Sequence, residues 1–320
     1  MTAFVARGTR VARGVSTSEF GPLAAIVAER GVTDVFLNGD GTVWADRGTG
    51  SAVVEGVRVS AVAARDLAVR LIALGGRHLD DAAPAVDVRL GDGVRVHAVL
   101  PPVSGGGALV SVRLPSESRP GLDDLDDAGF FTAVPVGRIR QLVIRRANLL
   151  VTGAGGSGKT TFLAALLAAA PPHERIVVLE DVAELRIAHP HVVSLEARQA
   201  NLEGAGGIGL DRLVREALRM RPDRLVVGEC RGPELRELLA ALNTGHDGGA
   251  GTLHANSLAD VPARLEALGA LAGMSPDAVA RQAVSAFDVV LHVERGPDSR
   301  RLAALGQLGL DRRGRLEVRT

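Results

Sequence analysis

Tyrosine is absent from this 320-residue chain, tryptophan occurs once and phenylalanine seven times, which leaves aromatic residues at 2%. A surface that stacks nucleic-acid bases on aromatic rings is therefore not expected. Charge of one sign is missing too, since 37 Lys and Arg stand against 37 Asp and Glu. Bulk composition thus carries no basic footprint for nucleic acid or anionic lipid. The one cysteine, Cys230, cannot close an intrachain disulfide and reads as a small buried hydrophobe rather than a redox centre. Apolar runs such as Phe162 to Ala170 stop well short of the roughly eighteen residues of a membrane-spanning helix. Arg7, Arg10 and Arg13 are followed by no apolar stretch of the kind a secretory leader needs. The expectation is a cytoplasmic chain whose contact with a membrane is peripheral.

Lysine is the scarcest charged residue, because Lys159 is the single one among the 37 basic residues. It lies in Gly153-Ala154-Gly155-Gly156-Ser157-Gly158-Lys159-Thr160, which matches G-x-x-x-x-G-K-[ST]. The apolar run Asn148 to Thr152 leads into this loop, and a helix-forming run leaves it at the lysine. Glycines let successive N–H groups surround phosphate oxygens, and the helix N-terminus adds partial positive charge. Lys159 is placed to reach the β- and γ-phosphates of a nucleoside triphosphate. Thr160 offers a hydroxyl to Mg²⁺, and Thr161 one to the α-phosphate.

The chain is long enough for about two domains. Its first part reads as a small α/β sheet domain over residues 1–113. It holds a helix near Pro22 to Glu29, a hairpin from Val32 to Ala45 around Asn38-Gly39-Asp40-Gly41, a helix from Ser60 to Leu74, and alternating strands at 86–90, 94–99 and 108–113. Residues 114–135, with three prolines and the acids Asp123, Asp124, Asp126 and Asp127, read as an inter-domain linker carrying a solvated short helix rather than a metal site. From 136 to 320 helices and strands alternate. Strands are expected at 148–152, 176–179, 225–227, 250–253, 287–293, 301–305 and 316–319, and helices at 136–146, 159–169, 210–220, 233–243, 261–271 and 276–285. This order implies a mostly parallel sheet covered on both faces.

Nucleotide hydrolysis also needs carboxylates near the metal and the attacking water, at the ends of neighbouring strands. Glu180, Asp181 and Glu184 follow one apolar strand, and Glu229 follows another. Each could instead cap a helix or face solvent. The stretch Thr244 to Asn256 adds His246 and His254 around a Gly-rich turn, in a spacing unlike that of a zinc site.

Four segments together carry a resemblance. Gly153 to Thr161, Leu179 to Leu185, Arg219 to Glu229 and Asn243 to Ser257 resemble the Walker A motif, Asp box, Walker B motif and His box of the secretion ATPase superfamily. Gly93-Val94-Arg95-Val96 and Val110-Ser111-Val112-Arg113 are similar to segments of its N-terminal domain. Asn243-Thr244-Gly245-His246-Asp247-Gly248 with His254-Ala255-Asn256-Ser257 is most similar to the Tad/Flp pilus-assembly branch, with conjugative type IV secretion ATPases next. The resemblance implies an N-terminal PAS-like domain and a RecA-like P-loop core, with ATP and Mg²⁺ held between them in a hexameric ring. It further implies inner-membrane pilus or secretion platform proteins as partners. Glu184 would be the general base; Glu229 would act through the Mg²⁺ and water shell, near Thr160 and Asp181. His254 with His246 would connect the γ-phosphate to domain movement, and Arg95 and Arg113 match arginines that close on the phosphates.

Two other readings stay open on the sequence. One is a nucleotide-gated scaffold with little turnover. The other is a DNA-dependent motor, against which the missing aromatics and the neutral charge argue. Direct nucleic-acid binding is not expected, and Arg138, Arg140, Arg145 and Arg146 read as a solvated or subunit-facing helix surface.

Overall fold

Period-two alternation of valine with polar residues builds the first sheet. The computed structural model describes residues 16–48, 50–115, 119–198, 206–296 and 299–320, apart from the Asp92 side chain. Arg7, Arg10 and Arg13 fall outside these, as do residues 116–118. The chain divides into two units near residue 117.

In the first unit a 3₁₀ segment (Thr17–Leu23) runs into α1 (Ala24–Val27). Then come β1 (Asp34–Leu37), β2 (Thr42–Asp46), β3 (Ser51–Arg58), α2 (Ala61–Leu74), β4 (Ala85–Arg89), β5 (Arg95–Val99) and β6 (Leu109–Arg113). The six strands are ordered β3-β2-β1-β6-β5-β4, and every neighbouring pair is antiparallel. Alternate residues Val86, Val88, Val96, Ala98, Val110 and Val112 turn inward to pack with Leu67, Leu71 and Ile72 of α2. The Ser60 hydroxyl caps α2 by accepting from the Ala63 N–H. This unit is an α/β sheet domain. Strand β3, which the sequence pattern did not reveal, is a largely exposed edge strand.

The second unit contains α3 (Leu122–Asp127), α4 (Val136–Ile144), β7 (Leu149–Gly153), α5 (Lys159–Ala168), β8 (Ile176–Glu180), β9 (Val192–Glu196), α6 (Leu210–Leu218), β10 (Arg224–Val227), α7 (Glu234–Leu242), β11 (Ala250–His254), α8 (Val261–Leu271), α9 (Pro276–Ala286), β12 (Val289–Arg295), β13 (Arg300–Leu310) and β14 (Leu316–Arg319). Its sheet order is β14-β13-β12-β7-β11-β10-β8-β9. The strands from β12 to β9 run parallel, and β13 and β14 extend the edge antiparallel. β7, β8 and β10 are buried along their whole length, as uninterrupted apolar strands between two helical layers should be. Phe162, Ile139 and Leu166 fill one face, and Val214, Leu235, Leu265 and Val279 fill the other. This is the RecA-like P-loop domain.

The stretch 114–135 differs from its reading as a linker. Leu122, Phe130, Phe131 and Val134 are buried in the core of the second unit. The rings of Phe130 and Phe131 stand 5.0 and 5.9 Å from that of Phe162, and Leu302 N–H donates to Phe130 O at 2.8 Å. The pair was too apolar to be left in solvent. The acid run does form a short helix, and Asp123 pairs with Arg140.

Candidate nucleotide site

Parallel register brings the sequence motifs to one edge. β11 lies between β7 and β10, with His254 opposite Gly153 and Gly251 opposite Val227, and Val227 in turn faces Leu179 of β8. The segments leaving β7, β8, β10 and β11 therefore emerge side by side at the carboxyl edge of the sheet, where open α/β sheets bind ligands.

The loop leaving β7 requires glycine at Gly153, whose φ is +152° and whose missing Cβ would stand 2.3 Å from Val293 O. Ser157 is buried, and its hydroxyl makes no hydrogen bond. Lys159 opens α5 and is buried. Its Nζ donates to Gly153 O and Ala154 O, both at 2.9 Å, and lies 3.4 Å from His254 Nδ1. Gly155, Gly156 and Gly158 complete the loop, and Thr160 and Thr161 occupy the first turn of α5.

The acids separate by burial. Glu180, which sequence reasoning did not single out from its neighbours, ends β8 buried at 5% exposure. Its Oε1 accepts from Glu184 N–H at 2.9 Å and Leu185 N–H at 3.0 Å. It therefore organises the turn that carries Asp181 and Glu184, both exposed. Glu229 is half-buried past β10. Its Oε2 pairs with Arg231 at 2.5 Å, and its Oε1 lies 2.7 Å from His254 Nε2 without the alignment of a hydrogen bond. The carboxylate of Glu229 raises the Arg231 pKa, and the charges of Asp181 and Glu184 add to the effect. Arg231 was missed in the sequence; its position two residues after Glu229 was the available signal.

Burial lowers the pKa of Lys159, and Arg231 adds to this while Glu229 opposes it. His254 is lowered from 6.5 by burial and then by Lys159, with Glu229 again opposing. A neutral ring with its Nδ1 lone pair toward Lys159 and its Nε2–H toward Glu229 suits both neighbours.

The two histidines are not brought together. His246 precedes β11 and sits at the opposite edge of the sheet, with Nδ1 3.2 Å from Ala241 O. The length of β11 puts roughly 13 Å between its two ends. The expectation that His246 acts together with His254 at the γ-phosphate is thereby corrected. Around it lies a structural network in which buried Arg224 donates to Glu174 at 2.5 Å and to Val143 O at 2.7 Å, and Arg146 donates to Asp247 O at 3.0 Å. Arg146 is thus built into the fold rather than solvated.

In the first unit Arg95 and Arg113 face each other across β5 and β6, and Arg89 faces Arg95 from β4. Three arginines thus share one cross-strand row, and Arg89 is a third member that spacing alone did not reveal. Cys230 is buried, and burial pushes its thiol pKa well up, as expected of an unreactive cysteine.

A model of the type II/IV secretion system protein family matches residues 16–295. The chain belongs to this family, the secretion ATPases. This secretion ATPase is 48% identical over 290 residues to a putative conjugal transfer protein of Mycobacterium tuberculosis, covering 89% of this chain and 82% of that protein. It is 32% identical over 297 residues to conjugal transfer protein TrbB of Rhizobium radiobacter, covering 92% and 88%. Its fold is shared with the pilus retraction motor PilT, solved with bound ADP, at a TM-score of 0.61 and 19% identity over 92% of this chain and 80% of that one. No described helix is long and apolar enough to cross a membrane.

The donor set fits a nucleotide with magnesium. The glycine loop and the first turn of α5 offer amides to phosphate. The Thr160 hydroxyl and the Glu229 carboxylate, whose Oε1 accepts no hydrogen bond, are hard oxygen donors. No cluster of three metal-ligating side chains occurs among the described residues.

Proposed function

We propose that this secretion ATPase hydrolyses ATP with Mg²⁺ as a homo-oligomeric, hexameric motor of a conjugative type IV secretion machine. The hydrolytic reading is carried by one observation: Lys159, Glu229, His254 and the acid-bearing turn after β8 converge at the carboxyl edge of four adjacent parallel strands. The conjugative reading is favoured over the Tad/Flp pilus branch by relatives described as conjugal transfer proteins. Pilus assembly stays the second reading, on the His-box resemblance.

In this reading the loop amides and Lys159 hold the β- and γ-phosphates. Thr160, Glu229 and Asp181 are the residues that would hold the metal and its shell. Glu184 takes a proton from the attacking water, and its exposed place on the turn fixed by Glu180 leaves it within reach of solvent. Mg²⁺, when bound, neutralises charge developing on the phosphates. His254 touches both Lys159 and Glu229 and so transmits a change at the γ-phosphate to β11. Arg95 and Arg113 are, by the resemblance, the arginines assigned to transition-state stabilisation. The motor stands peripherally at the inner face of the cell membrane through inner-membrane platform proteins, without direct contact with nucleic acid.

Mg²⁺-dependent ATP hydrolysis measured across a protein dilution series, beside Glu184→Gln, tests this. A site completed between subunits loses specific activity on dilution, and the variant falls to background. Tight ATP binding with no hydrolysis at any concentration would replace the motor with a nucleotide-gated scaffold.

A further inference from the structure

The outer wall of the phosphate loop is built by β12 and β13, which no sequence motif marked. Three contacts form it. His292 Nδ1 lies 2.9 Å from the Thr152 hydroxyl, Val293 O stands against Gly153, and Arg300 Nε donates to Gly156 O at 3.2 Å. The Arg300 stem also comes close to Gly158, where φ is +99° and a Cβ would meet Arg300 Cδ at 2.9 Å. Arg295 adds a second guanidinium, with one NH nitrogen 3.8 Å from where a Gly156 Cβ would stand.

A loop with glycine at four of its first six positions has much backbone freedom, which binding must remove. A peptide's C=O and N–H point in opposite directions, so a carbonyl held outward restrains the tilt of the amides that meet phosphate. We infer that Arg300 is a positioning residue for the phosphate loop, one that holds Gly156 and Gly158 in the arrangement that receives the β-phosphate of a nucleoside di- or triphosphate. The inference rests on the nucleotide reading above. It also ties the loop to the antiparallel edge β12-β13-β14, so that a displacement of β13 alters nucleotide affinity without touching the nucleotide. Arg301, the next residue, serves as control, since it pairs with Glu294 at 3.0 Å.

Calorimetric titration with MgADP, with steady-state ATP hydrolysis alongside, separates the outcomes. Arg300→Ala weakens MgADP about tenfold and raises KM similarly, while kcat at saturation stays within about twofold, because an ordered loop contributes to binding. Arg300→Lys recovers part of the affinity, and Arg301→Ala binds as the unaltered protein does. Arg300→Ala binding within twofold of the unaltered protein, equal weakening by Arg301→Ala, or a fall in kcat at unchanged KM each overturns the positioning role. Failure of the unaltered protein itself to bind MgADP overturns the nucleotide reading and the positioning role with it.

Discussion

His292 is buried at 2% exposure, with Nδ1 on Thr152 and Nε2 without a hydrogen bond. Burial lowers its pKa below the ordinary 6.5. The unfolded chain therefore takes up a proton first as the pH falls, so stability is full above about 6.5 and is lost as the pH drops through the lower folded-state value. We expect the thermal midpoint to fall between pH 7 and 5.5, and to fall less steeply in His292→Gln; parallel slopes would assign the acid loss to other groups. His254 has the same sign, with a smaller effect because it is more exposed. Residues at this scale were unevenly legible. Lys159 stood out by rarity and motif, whereas Arg231 and Arg300 were two among many arginines and acquire meaning from Glu229 and Gly156.

At the scale of elements, β7, β8 and β10 were readable because strands buried on both faces are uninterruptedly apolar. β3 and β9 were not, since both are edge strands with little or no burial pattern. The prolines and acids of 114–135 masked two phenylalanines that complete the core over α5. Phe131→Ala should lower unfolding free energy by about 3–5 kcal/mol, the usual cost of truncating a core phenylalanine. Denaturant titration at constant m checks it, and a loss below about 1 kcal/mol would return the segment to the role of a linker.

At the scale of the whole molecule, the row Arg89, Arg95 and Arg113 lies in one unit and the phosphate loop in the other. Arg113→Ala is expected to lower kcat on the order of 10³-fold, as loss of a transition-state arginine does, with the thermal midpoint little changed because the side chain is exposed. Steady-state hydrolysis measures it, and a loss under fivefold would remove Arg113 from the chemistry.

The alternation of the buried strands with their helices, the phosphate loop and the acids beyond two strands were determined by the sequence alone, because each is local: a period, a turn or a spacing. Only the tertiary structure decided what depends on register. Parallel pairing of β7 with β11 set His254 beside Lys159 and left His246 at the far edge. It also gave Glu180 the turn that carries Glu184, and laid Arg300 across a loop 144 residues away. Such contacts follow from how strands stack in a sheet, and no local pattern records which distant strand becomes the neighbour.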